Sequence, residues 1–219
     1  MSPAEPTSTS TPRAGATAGD VPASEAAPLS VPERIALSGE RSLRVLEESD
    51  ADELYALIEA NRAHLARWLP WAPGQTREGT LEFVRAGREQ IDRRDGFQAG
   101  VVDAGRIVGV VGFHGIDWQH RSTSIGYWLA RGAQGRGTMS EAVGAMVTHA
   151  LRTWGLNRVE IRASVENRRS RALIERLGFL YEGDARQAFR LADGFHDDAV
   201  YSMLAAEWPA PAPQPPGGA

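Results

Sequence analysis

The segment that decides the fold of this sequence is Leu129-Ala130-Arg131-Gly132-Ala133-Gln134-Gly135-Arg136-Gly137-Thr138. It joins a predicted strand directly to the most regular helical pattern in the chain. Gly135 and Gly137 allow the backbone to approach a ligand closely, because glycine has no side chain and tolerates positive φ. The free N–H groups and the positive end of the helix dipole would face that ligand. These features predict a phosphate site at the start of the helix.

Two common phosphate-binding signatures do not describe this loop. A Walker loop ends in Gly-Lys followed by Ser or Thr, and a dinucleotide fingerprint carries a third glycine. The segment contains neither pattern. An ordinary glycine-rich loop before a capped helix is therefore the alternative interpretation, and the loop alone does not decide between the two.

The helix after the loop is predicted over residues 138–154. Thr138 and Glu141 have the spacing of a capping box, and Gly155 is suited to end the helix. One face of the helix carries an apolar stripe, formed by Val143, Met146, Val147, Ala150, Leu151 and Trp154. A stripe of this kind is typical of a helix that packs on the core.

Hydrophobic periodicity predicts the remaining elements. Strands are expected at residues 42–46, 97–102, 106–116, 122–129 and 158–165, and on either side of Asp193-Gly194. Helices are expected from about residue 50, at 76–94 and at 168–177, the last with Asn167 as N-cap and Gly178 after its end. Hairpins followed by a strand–helix–strand crossover predict an α/β fold built on a mixed sheet.

A length of 219 residues suits one domain with tails. Residues 1–38 contain few large apolar side chains and cannot offset the entropy of ordering, so we expect a disordered N-terminal tail there. Residues 209–219 are rich in proline and are expected to form a second flexible tail. The folded domain is therefore predicted at residues 39–208.

Composition excludes several kinds of site. Cysteine is absent, which rules out disulfides, thiolate metal sites and a cysteine nucleophile, and no metal is expected. A formal net charge of −4 gives no general attraction to nucleic acid or to an anionic membrane. The sequence shows no membrane-spanning pattern, and its first residues lack the charged start and apolar run of a secretory signal. We therefore expect a cytoplasmic protein.

Several stretches resemble the GNAT superfamily of N-acetyltransferases. The loop matches its pyrophosphate-binding motif, and residues 167–170 with 177–179 match its second signature, an Asn-capped helix that ends in Gly-Phe. Other stretches resemble the branch of the ribosomal-protein N-terminal (alanine/serine) acetyltransferases: Ser124-Ile125-Gly126-Tyr127-Trp128-Leu129, Trp68-Leu69-Pro70-Trp71, Gly112-Phe113-His114, Glu182-Gly183 and Asp193-Gly194. The resemblance spans residues 43–208. It implies a mixed, mostly antiparallel sheet with a splayed pair of parallel strands and flanking helices.

The resemblance implies a site for acetyl-CoA as cosubstrate. Pyrophosphate would lie on the backbone amides of Gln134, Gly135, Arg136, Gly137, Thr138 and Met139. Pantetheine would run along Tyr127, Trp128 and Leu129 like an added strand, with an amide near Trp128 or Leu129 polarising the thioester carbonyl. Asn167 would contact the pantetheine arm, although capping of its own helix also explains this residue.

Three positions depart from the usual superfamily pattern. Gly132 replaces a Gln or Arg at the start of the loop motif, and Ser124 replaces a glutamate that often serves as general base. Ile174 replaces a tyrosine that often serves as general acid. In the resembled branch a serine on the signature helix protonates the departing thiolate, and Ser170 occupies that position. The alternative for Ser170 is a solvated residue in a first helical turn.

Each of the remaining candidate residues has two possible roles. His114 is a candidate proton acceptor or a packed, hydrogen-bonded core histidine. Trp68 and Trp71 lie where related proteins build the acceptor pocket, but core packing also explains them. Glu160 would act as base if its face of the strand lines the splay, whereas a solvated or salt-bridged role is favoured.

The expected reaction is acetyl transfer to a primary amine, which must be neutral to attack a thioester. A free α-amine has a pKa of about 7.7–8.0 and a lysine amine about 10.4, so an α-amine needs less base assistance near pH 7. We therefore expect a protein or peptide N-terminus as acceptor, attacked directly in a ternary complex. The alternatives are acetylation of a small amine such as an antibiotic or metabolite, and a regulatory module that binds acyl-CoA with weak catalysis.

Overall fold

Residues 29–209 are described by a computed structural model, and within them eight strands form one sheet. The strands are β1 (Arg34–Ala36), β2 (Ser42–Val45), β3 (Gln98–Asp103), β4 (Arg106–Asp117), β5 (Ser122–Leu129), β6 (Arg158–Ser164), β7 (Leu180–Leu191) and β8 (Gly194–Leu204). Their order in the sheet is β1-β2-β3-β4-β5-β6-β8-β7. Neighbouring strands are antiparallel except for β5 and β6, which are parallel.

Helices pack on both faces of the sheet: α1 (Ala51–Leu65), α2 (Arg77–Asp92), α3 (Thr138–Thr148) and α4 (Arg168–Arg176). Leu54 of α1 shares a buried cluster with α2 and with Val110 of β4, on what we call the α1/α2 face. Met146 of α3 and Ile174 of α4 belong to a larger cluster that includes Val111 of β4. Val111 follows Val110 in the strand and therefore points to the opposite face of the sheet, which we call the α3/α4 face. Within residues 29–209, no helix has the length and apolar character to cross a membrane.

β5 and β6 separate after a short paired stretch. Ser122, Thr123 and Ser124 of β5 pair with residues 158–160 of β6. Beyond this point β5 continues along β4 to Leu129, while β6 continues along β8 to Ser164. We call the wedge between the two strands the splay. The predicted architecture, a mixed and mostly antiparallel sheet with a splayed parallel pair, is thus confirmed.

Most predicted elements lie at or near the predicted bounds. β5 covers residues 122–129 as predicted, and α2 begins after Thr76, whose side chain accepts a hydrogen bond from Gly79 N. Ala104 and Gly105 have positive φ in the predicted hairpin turn between β3 and β4. The helix predicted to residue 154 changes character, because α3 ends at Thr148 and continues as a π-helical segment over His149–Thr153.

The predicted capping box at the start of α3 is wrong. The N-cap is Gly137, in the left-handed conformation, and no side chain caps the helix. Glu141 instead accepts hydrogen bonds from Ser38 and Arg41, and Thr138 Oγ1 also accepts from Arg41. Ser38 and Arg41 lie in the segment before β2, which passes the start of α3. Their hydrogen bonds thus replace the predicted contact between Thr138 and Glu141.

The predicted end of the N-terminal tail is also wrong. β1 pairs with β2 inside the segment assigned to that tail, and Leu29 is buried. The Ser30 carbonyl accepts hydrogen bonds from Trp154 Nε1 at 2.8 Å and from His149 Nε2 at 2.9 Å. The folded domain therefore includes residues 29–38. The parts of the predicted tails at 1–28 and 210–219 lie outside the described residues.

Candidate active site

The loop between β5 and α3 has the backbone geometry of an anion site. Gly135 and Gly137 have φ of 83° and 77°, and a Cβ built on either would meet no atom within 4 Å. The first helical hydrogen bond runs from Glu141 N to Gly137 O at 3.1 Å. The N–H groups of residues 138–140 consequently have no helical carbonyl to bond and point out of the helix end. These residues fit the pyrophosphate of acetyl-CoA.

Arg41 holds this loop from outside the motif. Its Nη1 donates to Arg136 O at 3.2 Å and to Thr138 Oγ1 at 3.1 Å, and its Nη2 donates to Glu141 Oε1 at 3.0 Å. The Thr138 and Met139 side chains are buried beneath the loop, so these two residues offer a ligand only their backbone. One arginine therefore fixes both the loop and the first turn of α3.

Gln134 connects the loop to helices on both faces of the sheet. Its side-chain nitrogen lies 2.9 Å from His64 Nε2 on α1, and its side-chain oxygen accepts a hydrogen bond from Arg169 on α4. Burial lowers the pKa of His64, as does the positive charge of Arg131, while a hydrogen bond with the Leu129 backbone opposes them. A neutral His64 accepts from the Gln134 amide, so the bridge is complete at neutral pH.

The backbone of β5 turns some of its polar groups into the splay. Ala130 N donates to Val108 O at 2.8 Å, so the N–H of Ala130 points towards β4. Along a strand, successive N–H groups point alternately towards one neighbour and the other. By that alternation the N–H of Trp128 faces β4, whereas those of Tyr127 and Leu129 face the splay. Of the two amides predicted near the thioester carbonyl, only that of Leu129 therefore points into the splay.

Ser170 lies in the first turn of α4, beside the α3/α4 face of β5. Asn167 Oδ1 accepts a hydrogen bond from Ser170 N at 3.2 Å, so the predicted cap is confirmed. Tyr127 Oη lies 2.8 Å from Ser170 Oγ. Burial raises the pKa of Tyr127 to about 12, although the Ser170 hydrogen bond acts in the opposite direction. Ile174, at the position of the usual tyrosine, is fully buried in the core.

A pocket of about 450 Å³ opens on the α1/α2 face, where β5 and β6 still pair. Its lining residues are mainly polar or charged: Asp95, His114, Gly115, Ile116, Asp117, Ser122, Thr123, Ser124, Arg158 and Glu160. Three carboxylates face one arginine in this lining, so the pocket has negative character. Such a pocket favours a cationic ligand.

His114 stands over β5 inside this pocket. A Cβ added to Gly126 would lie 2.3 Å from His114 Cε1, so the imidazole requires glycine at that position. The ring is exposed to the pocket, which contradicts the core interpretation of this residue. Partial desolvation by the surrounding protein lowers the pKa of His114, so the imidazole is neutral at pH 7 and able to accept a proton.

Two tryptophan positions differ in their surroundings. Trp71 is exposed and makes an edge-to-face contact with Trp128 of β5, with ring centroids 6.3 Å apart. Trp68 is half-buried beneath the guanidinium of Arg67. Neither Trp68 nor Trp71 belongs to the buried clusters of the described chain. Core packing therefore does not explain them, and Trp71 lies against β5 on the same face as His114.

Glu160 forms ion pairs, as the favoured interpretation expected. Its carboxylate accepts from Arg158 Nη2 at 3.0 Å and from Arg162 Nε at 2.7 Å. Arg158 also forms a bidentate pair with Glu182 of β7 at 2.6 Å. This network ties β6 to β7 at the closed end of the splay and neutralises much of the Glu160 charge.

The predicted site residues thus fall into two groups on either side of the splay. The loop, Tyr127, Asn167 and Ser170 lie on the α3/α4 side, and His114 and Trp71 lie on the α1/α2 side. Sequence reasoning missed Arg41 and His64, because their partners are 70 or more residues away and no local pattern marks them. No group of three or more His, Asp or Glu side chains suited to a metal ion occurs in residues 29–209.

The chain is similar to known acetyltransferases in sequence and in fold. Residues 41–180 match the family described as Acetyltransferase (GNAT) domain. The chain is 36% identical to the "Putative ribosomal N-acetyltransferase YdaF" of Bacillus subtilis (strain 168), over 76% of this chain and 92% of that protein.

Two solved structures share the fold. "RimL- Ribosomal L7/L12 alpha-N-protein acetyltransferase in complex with Coenzyme A" superposes with a TM-score of 0.76 at 30% identity, covering 78% of this chain and 98% of that one. The microcin C7 self immunity acetyltransferase MccE, in complex with acetyl-CoA and AMP, gives a TM-score of 0.74 at 26% identity, covering 81% and 98%. The family match spans well over half of the sequence, and this chain therefore belongs to the GNAT acetyltransferase family.

Proposed function

We propose that this protein transfers an acetyl group from acetyl-CoA to the N-terminal α-amine of a protein or peptide. The observation that carries the proposal is the arrangement around the splay. An anion-binding loop and a serine hydroxyl lie on one side of it, and a negative pocket with a neutral histidine opens on the other. A cofactor can therefore lie in the splay while an amine approaches from the opposite face, at the end where the two strands still pair.

Acetyl-CoA would be held by backbone more than by side chains. The amides of residues 134–139 would bind pyrophosphate, with Arg41 keeping the loop in place. Pantetheine would follow Tyr127, Trp128 and Leu129 and hydrogen-bond to the groups that face the splay. The Oδ1 of Asn167 is already used by the helix cap, so its side-chain N–H₂ is the group left to contact the pantetheine arm.

The acceptor would enter through the pocket on the α1/α2 face, and Trp71 lies further along β5 on this face, against Trp128. The carboxylates of Asp95 and Asp117 would attract a protonated amine, whereas Glu160 is paired with Arg158 and Arg162. At pH 7 roughly a tenth of a free α-amine is already neutral, against well under a thousandth of a lysine amine. One weak base then suffices for an α-amine, and His114 is the neutral base that this pocket offers.

The reaction would proceed by direct attack. The amine nitrogen forms a bond to the thioester carbon while the Leu129 N–H stabilises charge on the carbonyl oxygen. As the carbon–sulfur bond breaks, Ser170 donates its hydroxyl proton to the departing sulfur. The proton lost by the amine passes to His114, directly or through water. CoA with a free thiol and an N-acetyl product leave the site.

Known relatives support this acceptor class and also one alternative. RimL is a ribosomal L7/L12 alpha-N-protein acetyltransferase, which favours a protein N-terminus. MccE is described as a microcin self immunity acetyltransferase bound to acetyl-CoA and AMP, which favours a small molecule as the second candidate. A regulatory module that binds acyl-CoA without useful turnover is the third.

Release of free thiol from acetyl-CoA would separate these candidates. The acceptors are peptides that begin with Ser or Ala, the same peptides with a blocked α-amine and an internal lysine, and a panel of small amines. We expect thiol release with the free α-amine peptides only. Release with small amines alone would favour the second candidate, and CoA binding without release from any acceptor would favour the third.

A further inference from the structure

Tyr127 and Ser170 form the one side-chain hydrogen bond that links β5 to α4 in residues 29–209, with Oη and Oγ 2.8 Å apart. The two residues are 43 positions apart in the sequence. Tyr127 packs against the main core cluster, and Ser170 is held by the Asn167 cap. The contact therefore joins two rigid elements at the wall of the splay.

The direction of this hydrogen bond decides what Ser170 can do. A serine hydroxyl has a single proton and two acceptor positions. If Ser170 donated to Tyr127, that proton would be turned away from the splay. Either hydroxyl can donate across this 2.8 Å contact, and a phenol both donates and accepts. If Tyr127 is the donor, Ser170 accepts and keeps its own proton free.

Two contacts of Ser170 restrict the position of its hydroxyl, one through the backbone and one through the side chain. Its backbone N–H is committed to Asn167 Oδ1 at 3.2 Å. A serine in a first helical turn tends to bond a nearby backbone carbonyl when nothing else engages it. A second partner at 2.8 Å competes with that local bond and restricts the rotation of the hydroxyl. The partner also stabilises negative charge as the proton departs.

We propose, on the basis of the function above, that Tyr127 is a positioning residue whose hydroxyl donates to Ser170 Oγ and directs the serine proton at the sulfur of acetyl-CoA. The new carbon–nitrogen bond forms, the carbon–sulfur bond breaks, and the sulfur takes the proton of Ser170. Solvent water returns a proton to the serine oxygen and thereby balances the proton released by the amine. Tyr127 keeps its own proton throughout.

The test is a double-mutant cycle on the full chain with Tyr127→Phe, Ser170→Ala and the combined variant. Tyr127→Phe should lower kcat roughly 3- to 10-fold, the size expected for one hydrogen bond, with the dissociation constant for CoA and the melting temperature nearly unchanged. In the Ser170→Ala background the same change should have no further effect on kcat. Tyr181→Phe is the matched control, because that tyrosine is exposed and bonds Asp184 instead.

The outcomes separate this inference from the proposed function. A normal kcat for Tyr127→Phe beside a low kcat for Ser170→Ala overturns the role of Tyr127 and leaves acetyl transfer intact. An equal loss from Tyr127→Phe in both backgrounds also overturns it, because the tyrosine then acts independently of the serine. If Ser170→Ala turns over like the wild type, both roles are wrong.

A second measurement covers the case in which no amine is acetylated. The ultraviolet absorbance of the thiolate of bound CoA reports the pH at which its thiol ionises. A directed serine proton stabilises the thiolate, so Tyr127→Phe should shift this ionisation to higher pH, and Tyr181→Phe should not. An unchanged ionisation in Tyr127→Phe would overturn the inference without any reference to turnover.

Discussion

The hydroxyl of Ser38 donates to the carboxylate of Glu141 at 2.9 Å and thereby joins the chain before β2 to the first turn of α3. The backbone N–H of Ser38 donates to the same carboxylate at 3.1 Å. Glu141 also pairs with Arg41, which holds the candidate phosphate loop. The N-terminal segment is thus part of the support of the cofactor site.

Removal of this segment should therefore destabilise the protein. A chain that begins at residue 39 loses β1, the Ser38 hydrogen bonds and the Ser30 carbonyl that Trp154 and His149 share. We expect a loss of at least about 2 kcal/mol, since a hydrogen bond typically contributes about 1 kcal/mol. The melting temperature should fall by about 5 °C or more.

The control for this prediction is a chain that begins at residue 29 and retains all these contacts. It should melt close to the full-length protein. Equal melting temperatures for the chains that begin at residues 29 and 39 would show that the segment contributes nothing to the fold.

Gly137→Val should abolish most of the stabilisation that CoA gives. Gly137 has φ of 77° at the start of α3, a conformation that valine adopts only with strain, and its side chain would occupy the phosphate approach. The wild type should gain about 2.7 kcal/mol at a CoA concentration one hundred times the dissociation constant. Gly132→Ala, in the same loop but without positive φ, should keep the thermal shift. A full shift in Gly137→Val would contradict the proposed loop.

Ser170→Ala should lower kcat roughly tenfold or more, because positioned proton donors contribute about 10²–10⁴-fold and water replaces part of the effect. The affinity for acetyl-CoA should change little, since the serine hydroxyl acts mainly on the charge that develops at sulfur. Steady-state kinetics with a good acceptor, together with CoA titration, measures both quantities. A raised KM at unchanged kcat would instead assign Ser170 to binding.

The pH dependence of kcat/KM should reveal His114. A general base works only when deprotonated, so activity should fall as the pH drops through the pKa of His114, which lies below the usual histidine value. The acceptor amine titrates in the same profile, so below both pKa values log kcat/KM should fall with a slope of about two; His114→Gln should reduce that slope to about one and lower kcat/KM at pH 7. His196→Gln is the control, because His196 of β8 pairs with Asp193 and does not line the pocket. A slope that stays at about two in His114→Gln would assign the base elsewhere.

Glu182 should contribute stability that is lost in acid. Hydrogen bonds from Arg158, and then from Ser202, lower the pKa of Glu182 to about 2 against an ordinary value of 4.5. A lowered pKa stabilises the fold above the ordinary value, and the effect disappears as the pH falls from about 4.5 to 2. Glu182→Gln should cost about 1 kcal/mol or less at pH 7, because the pair is partly exposed.

Urea unfolding at several pH values measures this difference. The gap between wild type and Glu182→Gln should shrink as the pH falls towards 2. Glu82→Gln, which changes an exposed carboxylate of α2, should show no such trend. A gap that stays constant with pH would mean that Glu182 acts through packing rather than through its charge.

Local patterns predicted the elements that local forces control. β5, the α4 cap at Asn167 and the hairpin turn at Ala104 follow from alternation, capping and turn chemistry, and each is present. The predicted capping box is absent because Ser38 and Arg41, about 100 residues earlier, bond the Thr138 and Glu141 side chains instead.

The other differences between the predictions and the structure also come from contacts between residues that are distant in the sequence. β1 has only three residues, too short for a periodic signal, and depends on pairing with β2. The contact between Tyr127 and Ser170 and the bridge from Gln134 to His64 arise when distant elements pack together. No spacing in the sequence encodes such contacts, although the resemblance to a known family pointed to the region where they lie.

The site of acetylation within a single peptide tests the account most directly. The acceptor is a peptide with a free N-terminal serine or alanine and one internal lysine, incubated with acetyl-CoA and the full chain near pH 7. Fragmentation in a mass spectrometer then locates the added acetyl group. We predict acetylation of the α-amine with the lysine unmodified. Acetylation of the lysine in place of the α-amine, or no acetylated peptide while a small amine is acetylated, would contradict the account.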